Sequence, residues 1–151
     1  MFALIAFVLS GCAANGPAFD ARPSSISGAA HVFIYRVDSP AWGGRDAYFY
    51  VNDVNVADLS RNGHTQIDVA EGTFILKQKW PLDITLGMKT LEVPVRWENG
   101  ANYYYRFVAI ADAHSVKWQL TKVDESIALS ELRETRYQPP KDAGKSLVHQ
   151  R

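Results

Sequence analysis

From His31 onward, apolar and polar residues alternate with a period of two, the signature of strands with two distinct faces. "HVFIYRV" carries Val32 and Ile34 on one side and Phe33, Tyr35 and Val37 on the other, so it is expected to be buried on both. "SPAWGG" reads as a loop broken by Pro40, Gly43 and Gly44. "AYFYV" and "VNVADL" follow as strands joined by a tight turn at Asn52-Asp53, two residues that tolerate left-handed backbone angles. "RNG" marks the next turn, and "TQIDV" and "TFILKQKW" form another pair around "AEG", where Gly72 is available for a positive φ. "LEVPVRW" is cleanly amphipathic, and Pro94, which cannot donate to a ladder, assigns it to a sheet edge. A hairpin through Asn99-Gly100 leads into a strand from Tyr103 to Ile110, and "SVKWQLTKV" is the last strand.

The period then lengthens. "DESIALSELRETRY" brings Ala128, Leu129 and Leu132 together at helical spacing, with Asp124 as the expected N-cap. Seven or eight short strands with turn signals between them predict a mainly β protein, an antiparallel β-sandwich with one short C-terminal helix, over residues 31–137. Residues 138–151 form a polar tail set off by Pro139 and Pro140 and are expected to be poorly ordered.

The N-terminus follows a different pattern. Residues 2–9 are a run of eight apolar residues, within the roughly 7–15 of a signal-peptide core and far below the ~20 of a spanning helix. The run closes on Leu9-Ser10-Gly11-Cys12 and holds the chain's one cysteine. This stretch resembles the bacterial lipobox: a branched apolar residue, two small residues, then a cysteine whose thiolate is alkylated by a diacylglycerol donor and which becomes the mature N-terminus. Residues 1–11 are accordingly expected to be a signal peptide and Cys12 a lipid anchor. No Lys or Arg precedes the run, and the expected reason is a translation start upstream of Met1. The competing reading is a hydrophobic start to a cytosolic domain with an inert thiol.

Residues 12–30 are rich in Gly, Pro, Ser and Asn, with Phe19 as the one large aromatic side chain. They read as a flexible tether with a typical reach of about 20 Å. Ala13, standing where an aspartate would signal inner-membrane retention in the enteric sorting rule, points to the outer membrane, with the domain facing the periplasm.

Composition narrows the function classes. Of 151 residues, 47% are hydrophobic and 12% aromatic, enough for a core without staples, and a lone cysteine makes no internal disulfide. Sixteen basic residues balance sixteen acidic ones, which gives no electrostatic reason to expect a nucleic-acid partner.

The run "VNDVNVADLSRNGHTQIDVAEGTFILKQKW" resembles a segment of a family of small uncharacterised bacterial lipoproteins, in which a "V-x-D-G"-like turn, a polar hairpin and a "V-x-P-G-x-h-x-h" strand pair follow one another. "ENGANYYYRF" is similar to that family's "G-x-x-Y-Y-h-R" strand, and "DESIALSELRETRY" to its closing helix. The family's turn glycine is replaced by Val54 or Asn55, and its Pro-Gly-His turn by Glu71-Gly72-Thr73. The resemblance implies a transthyretin-like or PEGA-like sandwich and lends no activity.

No catalytic or metal site is signalled. His31, His64, His114 and His149 occur singly, without zinc-ligand spacing, and no cofactor motif is present. Asp112-Ala113-His114-Ser115 reads as a turn, because members of a hydrolytic triad normally come from separate elements. Glu71 and Asp83 read as solvated turn carboxylates.

The candidate binding residues are aromatic: Trp42 in its glycine-flanked loop, Tyr48 and Tyr50 on one strand face, and Tyr104 with Arg106 on another. The competing reading makes the tyrosines core and cross-strand residues. The expected function is a non-enzymatic, lipid-anchored envelope protein that binds another envelope protein, by a strand edge near Pro94 or through the Trp42 loop. A glycan- or peptidoglycan-binding lipoprotein and a hydrolase with an unrecognised site are the alternatives.

Intact mass and membrane fractionation test the address. The wild type is expected to carry an acylated Cys12 and to partition with membranes, and Cys12→Ser to be soluble and still folded. An unmodified, cytosolic wild type would overturn the anchor.

Overall fold

The structure is a computed structural model that describes residues 13–20, 28–39, 44–80, 89–111, 114–142 and 147. The order of elements is β1 (Ala30–Arg36), β2 (Ala47–Val51), β3 (Val54–Leu59), β4 (Gly63–Val69), β5 (Gly72–Lys79), β6 (Leu91–Trp97), β7 (Asn102–Ala111), β8 (Val116–Val123), α1 (Glu125–Leu132) and β9 (Arg136–Tyr137). Two sheets face each other, one of five strands in the order β8-β7-β1-β4-β9 and one of four in the order β3-β2-β5-β6. This is the expected β-sandwich with a short helix near the C-terminus. The ninth strand is only two residues long, too short to carry any periodicity.

Two pairings run parallel, β1 with β7 and β4 with β9. Parallel neighbours cannot be joined by a hairpin. Here the chain leaves the five-stranded sheet after β4, builds β5 and β6 in the other sheet, and returns through the β6–β7 turn in the direction of β1. In that turn Gly100 adopts φ 76° and its N–H donates to the Ala29 carbonyl at 2.9 Å.

The predicted turns use the residues that tolerate left-handed angles. Asn52 has φ 53° and Asn62 φ 57°. Gly72 does not take a positive φ. It opens β5, and its bare Cα leaves room for the ring of Phe74 two residues along the same face.

The inner faces hold the main core: Val32, Ile34, Ile67, Val69, Tyr103, Tyr105 and Phe107 from one sheet, and Phe49, Val51, Leu76, Val95 and Trp97 from the other. Two buried hydroxyls and an indole organise it. Trp97 Nε1 donates to the Tyr105 hydroxyl at 2.9 Å, and the Tyr103 hydroxyl accepts from the Glu98 amide at 3.0 Å. Trp97 also stacks on Phe74.

The outer face of the five-stranded sheet carries a second cluster, Phe33, Tyr35 and Tyr104, covered by Ala128 and Leu132 of α1. Asp124 occupies the N-cap position with extended backbone, but its side chain makes no capping bond. Thr135 satisfies the other end, its N–H and Oγ1 both reaching the Leu132 carbonyl, at 2.9 and 2.6 Å.

Both expected flexible ends prove to be partly docked. Residues 13–20 lie along β9 and the β3–β4 turn as a strap: Ala14 N–H donates to Arg61 O at 3.0 Å, Tyr137 N–H to Pro17 O at 2.8 Å, and Ala18 bridges Arg136. Phe19 is the reason the strap holds, because its ring packs edge-on against Phe33 and His64 at 6.1 and 5.3 Å. The predicted 12–30 tether therefore begins as an ordered segment. In the predicted disordered tail, Lys141 N–H donates to Val56 O at 2.9 Å on the β3 edge, and Leu147 is buried in the main core.

Gly16 faces the Tyr137 carbonyl so closely that a Cβ would collide with it. Gly16→Ala is expected to detach the strap and to cost about 1–3 kcal/mol, read as a lowered denaturant midpoint with faster proteolysis within residues 13–20.

Candidate functional site

β7 alternates strictly, sending Tyr103, Tyr105 and Phe107 inward and Tyr104 and Arg106 outward. The outward pair is not a free surface, contrary to its candidacy as a binding site. Tyr104 stacks on Phe33 at 4.9 Å, and its hydroxyl donates to Glu125 Oε1 at 2.8 Å. Arg106 Nη1 donates to Glu131 Oε1 at 2.8 Å, while the Tyr35 hydroxyl donates to Glu131 Oε2 at 2.6 Å. One helix carboxylate thus joins two neighbouring strands, and each such bond to a charged group contributes on the order of 1.5–3 kcal/mol, less where water reaches the pair. Burial and the Glu131 acceptor raise the Tyr35 phenol far above its ordinary range. Burial and Glu125 do the same for Tyr104. These groups hold a helix rather than a ligand.

Beside that clamp, His64 pairs with Tyr35 across β1 and β4 and is almost fully buried. The Thr135 hydroxyl gives its one proton to the Leu132 carbonyl, so at 2.8 Å it accepts from His64 Nδ1. His64 is neutral with the proton on Nδ1, and burial pulls its pKa down to about 4. His31, also on the outer face, pairs with Asp68 at 2.7 Å.

No described element covers the outer face of the four-stranded sheet. Tyr48 and Tyr50 stand on it, as the alternation in β2 predicts, beside Lys79 and Lys77 of β5 in register. The Lys79 ammonium lies 4.9 Å from the Tyr50 ring centroid. Lys77 reaches Asp53 at 3.0 Å and Glu92 at 3.8 Å, and its pKa rises chiefly through the bond to Asp53. Lys141 meets Asp58 at 2.6 Å. The face is a mosaic of tyrosine and paired opposite charges.

The edge beside it is β6. Ile75 turns both of its backbone polar groups to Asn52 on the β2 side, its carbonyl accepting from Asn52 N at 2.8 Å and its N–H donating to the side-chain Oδ1 at 3.0 Å. Its partner across the β5–β6 ladder is Pro94, whose nitrogen therefore points to the free edge. An added strand would lack that central donor, so the edge is blunted as a docking site.

One buried cation escaped the sequence reading. Arg36 closes β1 on the inner side, its Nη1 donating to the Arg45 carbonyl and, at 3.1 Å, to the Leu59 carbonyl. Its guanidinium sits 5.6 and 5.9 Å from the rings of Trp80 and Trp118, which meet each other at 4.8 Å. Desolvation lowers its pKa to about 10, so it stays charged at neutral pH and ties the chain before β2 to the end of β3. An arginine ending an apolar strand reads as the first solvated residue. The signal that was available is the pair of tryptophans, each placed at the mouth of a strand.

Trp42, Leu9, Ser10, Gly11 and Cys12, with Asp83, Asp112 and His149, lie outside the described residues. Among the described residues, no group of three His, Cys, Asp or Glu side chains is placed to hold a metal ion. No helix among them is long and apolar enough to cross a membrane.

His64 makes stability depend on pH. The unfolded chain takes up the histidine proton near pH 6.5, the folded one only near pH 4. The contribution is full above about pH 6.5 and is expected to be lost on acidification to pH 4, by about 3 kcal/mol. Urea midpoints between pH 7 and 4 check this: His64→Asn, which keeps a donor near Nδ1, is expected to fall less steeply than wild type.

No protein-family model matches this chain, and no curated protein matches it in sequence.

Proposed function

We propose that this chain is a non-enzymatic, lipid-anchored envelope protein of bacteria, held at the outer membrane on its periplasmic side, whose β-sandwich binds another envelope protein through the outer face of the β3-β2-β5-β6 sheet. One observation carries the reading: the two sheets are finished differently. The outer face of the five-stranded sheet is closed by α1 and the strap, with Tyr104 and Arg106 spent on helix carboxylates. The four-stranded sheet presents Tyr48 and Tyr50 among balanced charges with no described element over them. Tyrosine set among paired charges suits a protein interface, in which aromatic anchors supply affinity and charges fix the register.

The same geometry favours this reading over glycan binding. A sugar stacks on an open ring face, and the Tyr50 ring already has the Lys79 ammonium near it. Pro94 moves the expected contact from the β6 edge to the sheet face. The anchor rests on Leu9-Ser10-Gly11-Cys12, whose residue types and order fit acylation at the cysteine.

A photo-crosslinking residue in living cells tests the proposal. Placed at Tyr50, it is expected to give one discrete protein adduct, whereas at Glu71, in the turn before β5, it gives none. Lys77→Glu is expected to reduce the adduct about fivefold, the effect of losing on the order of 1 kcal/mol at an interface. No adduct from either Tyr48 or Tyr50, with retention on isolated sacculi lost on Tyr50→Ala, would replace protein binding by glycan binding.

A further inference from the structure

The strand registers gather several elements at one end of the sandwich. Arg36, the last residue of β1, pairs with Phe107 of β7 and bonds the carbonyls of Arg45, before β2, and Leu59, at the end of β3. The β3–β4 turn lies at that same end, and Ala13 bridges Arg61 there. The β2–β3 turn at Asn52-Asp53 and the β6–β7 turn at Asn99-Gly100 lie at the other end.

Past the last β1 partner, β7 and β8 pair only with each other among the described strands, as a two-stranded ribbon. Four further pairs extend it: Val108 with Gln119, Ala109 with Trp118, Ile110 with Lys117, and Ala111 with Val116. Trp118, paired with Ala109, still packs on Phe107 and Trp80, so the two outermost pairs stand clear, a projection of roughly 7 Å at ~3.4 Å per residue. Ile110 and Val116, near its tip, are 47% and 41% exposed. They point to opposite faces, because Ile110 stands beside Lys117 and Val116 beside Ala111.

We propose that the end of this ribbon, Ile110, Ala111, Val116 and Lys117, enters the headgroup layer of the bilayer that anchors the chain. The aliphatic side chains reach the acyl boundary and the Lys117 ammonium meets lipid phosphate. The inference rests on the reading of Cys12 as an acylated residue. Cys12 is one Cα step, 3.8 Å, from Ala13, and Ala13 is fixed to the end of the sandwich from which the ribbon projects. A lipid on Cys12 therefore brings that end against the membrane.

The two-sided placement of the aliphatic residues favours lipid over a protein laid against one face. A partner docked on a ribbon covers one face, whereas the interfacial layer surrounds both. Depth is limited by the backbone: the free edge of β8 carries unpaired N–H and C=O groups, which need the water and headgroups of the interface.

The full chain, purified from membranes and reconstituted into phosphatidylethanolamine–phosphatidylglycerol vesicles with brominated acyl chains, tests this. Acylation blocks Cys12, so Ile110→Cys or Val116→Cys takes a thiol-reactive fluorophore at one position. Both labels are expected to lose fluorescence to the bromolipid, while a label from Asp53→Cys at the opposite end keeps it. If the protein is acylated by mass and vesicle-bound but the labels at 110 and 116 stay as bright as the one at 53, the ribbon inference fails and the anchor stands. Protection of the label from a water-soluble quencher in native envelopes but not in the vesicles means a protein socket, and also overturns it. An unacylated protein absent from membranes removes the anchor and this inference together, and the mass tells that outcome from the others.

Discussion

The burial of β1 on both of its faces is the constraint from which the rest of the architecture follows. Val32 and Ile34 need one apolar layer and Phe33 and Tyr35 another, so a two-sheet sandwich alone would leave half the strand in water. The second layer is assembled from pieces: an eight-residue helix that buries only Ala128 and Leu132, and a strap that contributes Phe19. Neither piece is large enough to hold itself in place by apolar area, and polar bonds complete the attachment. Glu131 ties the helix to Tyr35 and Arg106, and backbone bonds tie the strap to Arg61 and Tyr137.

Much of the sandwich was legible because its determinants are local. Period-two alternation locates β1 to β8, Asn52, Asn62 and Gly100 sit where left-handed angles are needed, and Pro94 marks the edge on which it lies. The parts that escaped depend on contacts between residues far apart in sequence. The parallel pairing of β1 with β7 is decided by which sheet the intervening chain joins, and no residue in either strand records that choice. Phe19 was visible as an isolated aromatic in a glycine- and proline-rich stretch, but its sockets, Phe33 and His64, belong to different strands. Leu147 likewise reaches the core from a tail of polar composition.

The candidate residues divided by a rule that periodicity alone does not supply. Tyr48, Tyr50 and Tyr104 all lie on outer sheet faces, yet whether an outer face is a surface depends on what later sequence lays over it. Glu125 and Glu131 consume Tyr104 and Arg106, while Tyr48 and Tyr50 have lysines as neighbours and no described layer above them. A carboxylate 21 to 96 residues further along the chain is thus as informative about a strand's outward side chains as the strand itself.

The strap joins Pro17 and Ala18 to Tyr137 and Arg136, partners far along the sequence. Arg61, Phe33 and His64 give the strap sockets much nearer in sequence, so its attachment combines short and long loop closures, and the longer one costs more entropy. Complete docking of the strap thus waits on β9, whereas the contacts of Phe19 need only β1 and β4.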